Sequence, residues 1–209
     1  MIETTLMTKV FLLLAGCLSC GGLGAYVGRN IRSLGTMIGL ALAMLVGVFV
    51  VWYASGVSPL VGIVSLAGWT FISGLFSGPS LRHYRERLGW ETVAWVFFSS
   101  AGVMLGLGMF GAYSGIDFTF LGGILFFALS VLLLVGLVML FVRLGRQAAI
   151  AESIASMIVF SGYFIYDFFR VTRVTNTWEH AVQATMSIYL DFINFFFDAL
   201  RLLELLSNK

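Results

Sequence analysis

Two aspartates interrupt apolar helical runs near the end of the chain, and no other residues are better placed for proton or cation chemistry. Asp167 lies in Gly162-Tyr163-Phe164-Ile165-Tyr166-Asp167-Phe168-Phe169, and Asp191 in Ile188-Tyr189-Leu190-Asp191-Phe192-Ile193-Asn194. A carboxylate at membrane depth costs on the order of 3 kcal/mol on insertion scales, so it is usually kept for a task. The polar hinge between the two runs centres near Glu179, 12 residues after Asp167 and 12 before Asp191. Antiparallel helices joined there bring both carboxylates to about the same depth. A facing pair shares a proton and titrates as one coupled unit. Protonation closes the gap between the helices with an acid–carboxylate hydrogen bond. Full deprotonation drives them apart or calls for a cation. Oxygen ligands of this kind suit a hard cation such as Ca²⁺. Two carboxylates alone make no tight site, so the expectation is a transient calcium leak with no tightly bound cofactor.

Other polar residues extend this constellation. Asp191, Asn194, Asp198 and Arg201 follow at spacings of three, four and three, which is one helix face. The spacing lets Asp198 and Arg201 pair near the membrane surface. Tyr163 and Ser187 each precede an aspartate by four residues and face the same neighbourhood, whereas Tyr166 and Tyr189 point elsewhere. Glu91 and Glu152 open the fourth and sixth spans, where a carboxylate suits a helix N-terminus; Glu91 could instead gate the cavity mouth. The bland alternative for either aspartate is a hydrogen bond to a neighbouring helix. Cys17 and Cys20 have C-x-x-C spacing inside the first span, but with no other Cys or nearby His they read as small packing residues.

The elements that position these groups follow from composition. The 209 residues are 60% hydrophobic and 11% charged, too apolar for a soluble domain of this length. The runs repeat at spanning length, roughly 20 residues, and a lipid-buried backbone must satisfy its own hydrogen bonds. The reading is an all-α integral membrane protein forming one domain over 1–209. Seven spans are expected: Thr8–Gly28, Leu34–Tyr53, Val57–Ser77 with Pro59 in its first turn, Thr92–Tyr113, Phe118–Val142, Ala148–Phe169 and His180–Leu202. The first run passes through Gly21-Gly22 without a convincing cleavage site, so no cleavable signal is expected. The longest polar connection is Gly78–Arg87. Glycine pairs at G-x-x-x-G spacing, Gly24/Gly28, Gly35/Gly39, Gly74/Gly78 and Gly102/Gly106, predict close helix packing. The net charge of +2 implies no nucleic-acid partner, because the basic residues sit in short loops. If the loops after spans one, three and five face the cytoplasm with the C-terminal tail, that side holds nine basic residues: Arg29, Arg32, Arg82, Arg85, Arg87, Arg143, Arg146, Arg201 and Lys209. The other side holds Lys9, Arg170 and Arg173. The positive-inside rule then puts the N-terminus outside. The remaining basic residues read as topology determinants and headgroup contacts.

Alternative seven-helix chemistries fail on residues. A retinal protein needs a mid-membrane lysine, and only Lys9 and Lys209 are present. A serine protease needs a buried Ser–His dyad, and His83 and His180 lie at loops or helix edges. An intramembrane aspartyl protease is physically reasonable, with one aspartate polarising water and one acting as acid. Tyr189-Leu190-Asp191-Phe192 lacks the glycines that flank the second aspartate of presenilin-like enzymes, and no enzyme is expected.

Ile165-Tyr166-Asp167 together with Ser187-Ile188-Tyr189-Leu190-Asp191-Phe192-Ile193-Asn194-Phe195-Phe196 resembles the Bax inhibitor-1 family. Phe71-Ile72-Ser73-Gly74, Glu91 and Asp117-Phe118-Thr119-Phe120-Leu121-Gly122 match in order along nearly the whole chain. The resemblance implies seven helices with the last one central, and a pH-sensitive calcium leak sensed by Asp167 and Asp191. In bacterial homologues an arginine near the start of the third span latches onto the pair. Here Ala54-Ser55-Gly56-Val57-Ser58-Pro59-Leu60 has none, so the latch is absent or comes from elsewhere. Those homologues place the N-terminus in the cytoplasm, opposite to the charge count. The short N-terminal segment resembles prokaryotic members, which implies the inner (cytoplasmic) membrane, and the eukaryotic link to cell-death suppression is not carried over. Lipid, calcium ions and protons are the implied partners. A scaffold binding another membrane protein is the third reading.

Overall fold

Hydroxyl caps and glycine breaks divide the apolar sequence into helices. Thr5 accepts from the Thr8 amide at 3.3 Å and Ser33 from the Thr36 amide at 3.4 Å, opening the first and second helices. Ser58 accepts from the Val61 amide at 3.3 Å ahead of Pro59. Proline suits a first helical turn, where its missing N–H has no partner to lose. Gly89 has φ 85 and Gly115 φ 74, left-handed conformations that favour glycine. In the computed structural model, which describes residues 5–141 and 145–207, these signals bound seven helices. They are α1 (Leu6–Gly28), α2 (Leu34–Val57), α3 (Pro59–Leu88), α4 (Trp90–Tyr113), α5 (Leu121–Phe141), α6 (Arg146–Val171) and α7 (Trp178–Ser207). No strand occurs among the described residues.

Among the described residues six helices, α1 to α6, are long and apolar enough to cross a membrane. Helix α7 is the exception on composition, because Glu179, Asp191, Asp198, Arg201 and Glu204 fall within its 30 residues. Many of its apolar side chains are nonetheless buried, among them Val182, Ile188, Phe192, Phe196 and Leu200. By contrast, large apolar residues such as Leu42, Phe49, Trp95 and Phe126 are exposed on the other helices, as a lipid-facing surface requires.

The expected boundaries hold to within a few residues, with three corrections. Gly78–Arg87 is not a loop. Helix α3 runs through it with Pro79 inside. Proline cannot donate to the carbonyl four residues back, which is that of Leu75. That carbonyl lies against Gly28 of α1, where the lack of a side chain leaves room for it. Beyond Pro79, an Arg82–Glu86 ion pair at 2.7 Å supports the helix one turn apart. Second, α7 begins at Trp178, so Glu179 stands in its first turn and the hinge lies before it. Third, Glu152 is not at the start of α6, which opens at Arg146. Glu91 does occupy the first turn of α4 and is exposed. Val142, Arg143 and Lys209 lie outside the described residues.

The chain forms two compact units. The first contains residues 1–86 and 171–189. Within it, α1 and α3 cross closely at Gly24, Gly28, Gly74 and Gly78. Trp69 of α3 donates to the Met44 carbonyl at 3.0 Å and meets Tyr189 edge-on at 5.9 Å. Gln183 donates to Ser55 at 3.1 Å, and Thr185 donates to the Ala181 carbonyl at 2.7 Å. Cys17 is buried and Cys20 partly buried; both are free thiols.

The second unit contains residues 87–170 and 190–209. Gly108 and Gly111 let α4 approach Phe168 and the Ile165 carbonyl of α6. Phe97, Phe192 and Phe196 form an aromatic cluster with centroids 5.2 to 6.3 Å apart, and Phe164 meets Phe195 at 5.5 Å. These large rings leave little freedom to the helix faces that carry the aspartates.

Candidate functional site

Helices α6 and α7 present Asp167 and Asp191 to each other within the second unit. Asp167 is 3% exposed and Asp191 6%. The two carboxyl groups lie within electrostatic reach of one another. Two carboxylates so placed repel, and a hydrogen bond between them requires that one of them hold a proton. The pair's neighbours along the sequence are aromatic: Phe164 and Phe168 on α6, and Phe192 and Phe195 on α7, are all buried. The Oδ2 atom of Asp191 is buried with no hydrogen-bond partner among the described residues. An orphaned buried acceptor of this kind is rare in folded proteins and calls for an explanation.

Arg170 approaches the pair. It follows Asp167 by one turn, and its Nη1 lies 3.7 Å from Asp167 Oδ1. The guanidinium also stands 5.7 Å from the Tyr166 ring centre, and its side chain is 55% exposed. Arg170 thus stands at an exposed edge beside the buried pair. The i, i+3 spacing of Asp167 and Arg170 is visible in the sequence, whereas the family resemblance implies an arginine near the start of the third span.

The remaining expected residues divide. Tyr163 is half-buried, with its phenol in electrostatic range of both aspartates. Tyr166 turns toward Gly122, and Tyr189 toward Trp69 and Gly21. Ser187 is half-buried and belongs to the first unit. Asn194 and Asp198 do not join the pair. They line a separate cavity of about 440 Å³ in the second unit, with Glu152, Ser156 and a leucine-rich wall from α5. There Ser156 donates to Asp198 at 2.5 Å. The expected Asp198–Arg201 pairing is not what forms, because Arg201 instead bonds Glu152 across from α6. Glu152 and Ser156 are four residues apart on α6, and Asp198 and Arg201 three apart on α7, so two short polar faces mesh. Sequence reading missed Ser156 because a lone serine in a span carries no signal of its partner. Asp117, within one of the weaker motifs, accepts from the Thr119 amide at 2.9 Å and stabilises the turn into α5.

A carboxyl pair holding a proton in an aromatic setting can act as a proton-dependent clasp between α6 and α7. With both protons gone it offers hard oxygen ligands. Among the described residues no three His, Cys, Asp or Glu side chains converge.

Comparison with known proteins bears on the family. The family profile described as "Inhibitor of apoptosis-promoting Bax1" matches residues 3–209. An uncharacterised membrane protein of Vibrio cholerae is 32% identical over 68% of this chain and 64% of its own length. The Bax inhibitor 1 protein of Schizosaccharomyces pombe is 31% identical over 68% of this chain and 51% of its own length. An uncharacterised protein of Campylobacter jejuni is 29% identical over 96% of this chain and 88% of its own length. The chain thus spans about half to two thirds of the length of the first two relatives, and most of the third.

Proposed function

This chain belongs to the Bax inhibitor-1 family, and from that premise we propose that it is a proton-controlled leak pathway for calcium in the inner membrane of a bacterial cell. The observation that carries the reading is the burial of Asp167 and Asp191 within electrostatic reach of each other. While the pair holds a proton it clasps α6 to α7. Loss of that proton leaves two adjacent carboxylates in an apolar setting, a state relieved by separation or by a divalent cation. Flux therefore rises as pH rises. Arg170 supports the gating part of the proposal. It stands where a positive charge competes with calcium for Asp167, and so supplies from α6 the latch that other members take from the third span. On α7, Asp198 lies seven residues beyond Asp191, roughly 10 Å along the axis. Its cavity fits a wider vestibule on the same path. Calcium is the permeant species and not a resident cofactor.

The test is calcium flux into liposomes containing purified protein across a pH series. Wild type is expected to leak more at higher pH. Asp167→Asn and Asp191→Asn keep the size of the side chain but cannot ionise, so each flattens the pH response, and the double variant abolishes it. Flux that keeps its pH dependence in the double variant sinks the sensor. Folded protein with no flux above empty liposomes at any pH sinks the leak itself and favours a partner-binding protein. Cleavage of a membrane-embedded peptide, lost in either variant, favours an aspartyl protease.

A further inference from the structure

The ends of α1 and α3 in the first unit border a second charged site, an open surface pocket unrelated to the aspartates. A pocket of about 210 Å³ is lined by Arg29, Arg32, Arg82, His83, Pro79 and Glu86, among others. Three guanidinium groups there face one carboxylate. Two of the arginines are held in place. Arg82 donates through Nε to Glu86 at 2.7 Å and through Nη1 to Asn30 Oδ1 at 2.5 Å. Arg29 stacks on Tyr26 with its guanidinium 4.0 Å from the ring centre. Neither Arg29 nor Arg32 has an ion-pair partner among the described residues. Fixed guanidinium donors with excess positive charge suit a phosphate, which they bind through paired N–H groups.

Topology determinants alone need no such convergence on one pocket. The positive-inside effect depends on how many basic residues stand on one side, not on their shared orientation. The surroundings distinguish a lipid phosphate from a free one. Tyr26, Val27 and Leu34 are 64%, 62% and 74% exposed on the helix ends beside the arginines. Exposed apolar residues next to a basic pocket mark the border between hydrocarbon and headgroups. Helix α3 is 30 residues long, roughly 45 Å, so its last turns extend past a hydrocarbon core of about 30 Å. The pocket forms at that extension. We propose that Arg29, Arg32 and Arg82 hold the phosphate of an anionic phospholipid, whose acyl chains lie along the exposed ends of α1 and α2.

The full-length protein in detergent micelles is titrated with phosphatidylglycerol and separately with phosphatidylcholine, and bound lipid is counted by native mass spectrometry. Phosphatidylglycerol is expected to bind at least tenfold more tightly. Arg29→Gln with Arg32→Gln is expected to weaken it about thirtyfold, from the usual gain per basic residue at an anionic surface. Arg85→Gln, outside the pocket, is expected to leave it unchanged. If the double variant fails to fold, the exposed Arg32→Gln alone is expected to weaken binding about fivefold. Equal binding of the two lipids, unchanged binding in the Arg32 variant, or an equal loss in the Arg85 variant overturns the site. Displacement of the lipid by millimolar inorganic phosphate overturns the lipid assignment and makes the pocket a site for the free anion.

Discussion

Gly74→Ala is expected to lower the melting temperature of the detergent-purified protein by roughly 6–12 °C, or to prevent its folding. Between helices in lipid there is little hydrophobic driving force, and van der Waals contact carries association. Helices α1 and α3 therefore depend on how closely their backbones meet. A Cβ on Gly74 collides with the Gly21 carbonyl oxygen and stands 2.8 Å from the Ala25 amide nitrogen. Both are backbone atoms of a helix and cannot turn aside. The helices must separate, which also loosens contacts at Gly24, Gly28 and Gly78. Overpacking usually costs about 1–3 kcal/mol, and this site belongs at the upper end or above it. Gly22→Ala is the matched control. It lies on α1 with nothing within 4 Å of an added Cβ, so its melting is expected to stay within about 2 °C of wild type or to rise slightly. Equal melting of Gly74→Ala and wild type would show that the close crossing does not hold the first unit together.

Arg201→Met is expected to destabilise the second unit by about 2–3 kcal/mol, at the low end for a broken buried pair because Arg201 is partly exposed. The side chains of Arg201 and Glu152 are 32% and 14% exposed. Asp198 stands on the same cavity, so losing the arginine leaves two carboxylates there without their cation. The loss should come mainly from that stranded charge and less from the missing bond. Adding Glu152→Gln to Arg201→Met is therefore expected to recover more than half of the stability, with a coupling energy of about 1–2 kcal/mol in the double-mutant cycle. Thermal melts of the four proteins check this. A neutral Arg201→Met, or a double variant no more stable than the single, would falsify the account.

Some of this was legible without coordinates, and the reasons are local. Helix number and class follow from apolar runs of spanning length, because lipid forces each backbone to bond internally. Thr5, Ser33 and Pro59 mark helix starts through atoms only a few residues away. The equal spacing of Asp167 and Asp191 about Glu179 put the two at one depth, although the hinge lies just before that residue. The polar stretch 78–87 misled because its composition reads as a loop. The helix persists there through the i, i+4 pair of Arg82 and Glu86 and the room that Gly28 leaves for the Leu75 carbonyl.

What the sequence by itself determined is the set of membrane-length helices, the family, and the two carboxyl groups buried among aromatic residues. These depend on composition and on periodicity along one chain segment at a time. Only the tertiary structure decided which groups meet. Gly24/Gly28 and Gly74/Gly78 interlock, while Gly39, Gly102 and Gly106 have nothing within 4 Å, although all belong to G-x-x-x-G pairs. Arg201 chose Glu152 over Asp198 one turn away, and Ser156 took Asp198. Spacing along a helix sets which face a side chain shares; the partner on that face comes from another helix, brought there by packing that no single segment encodes.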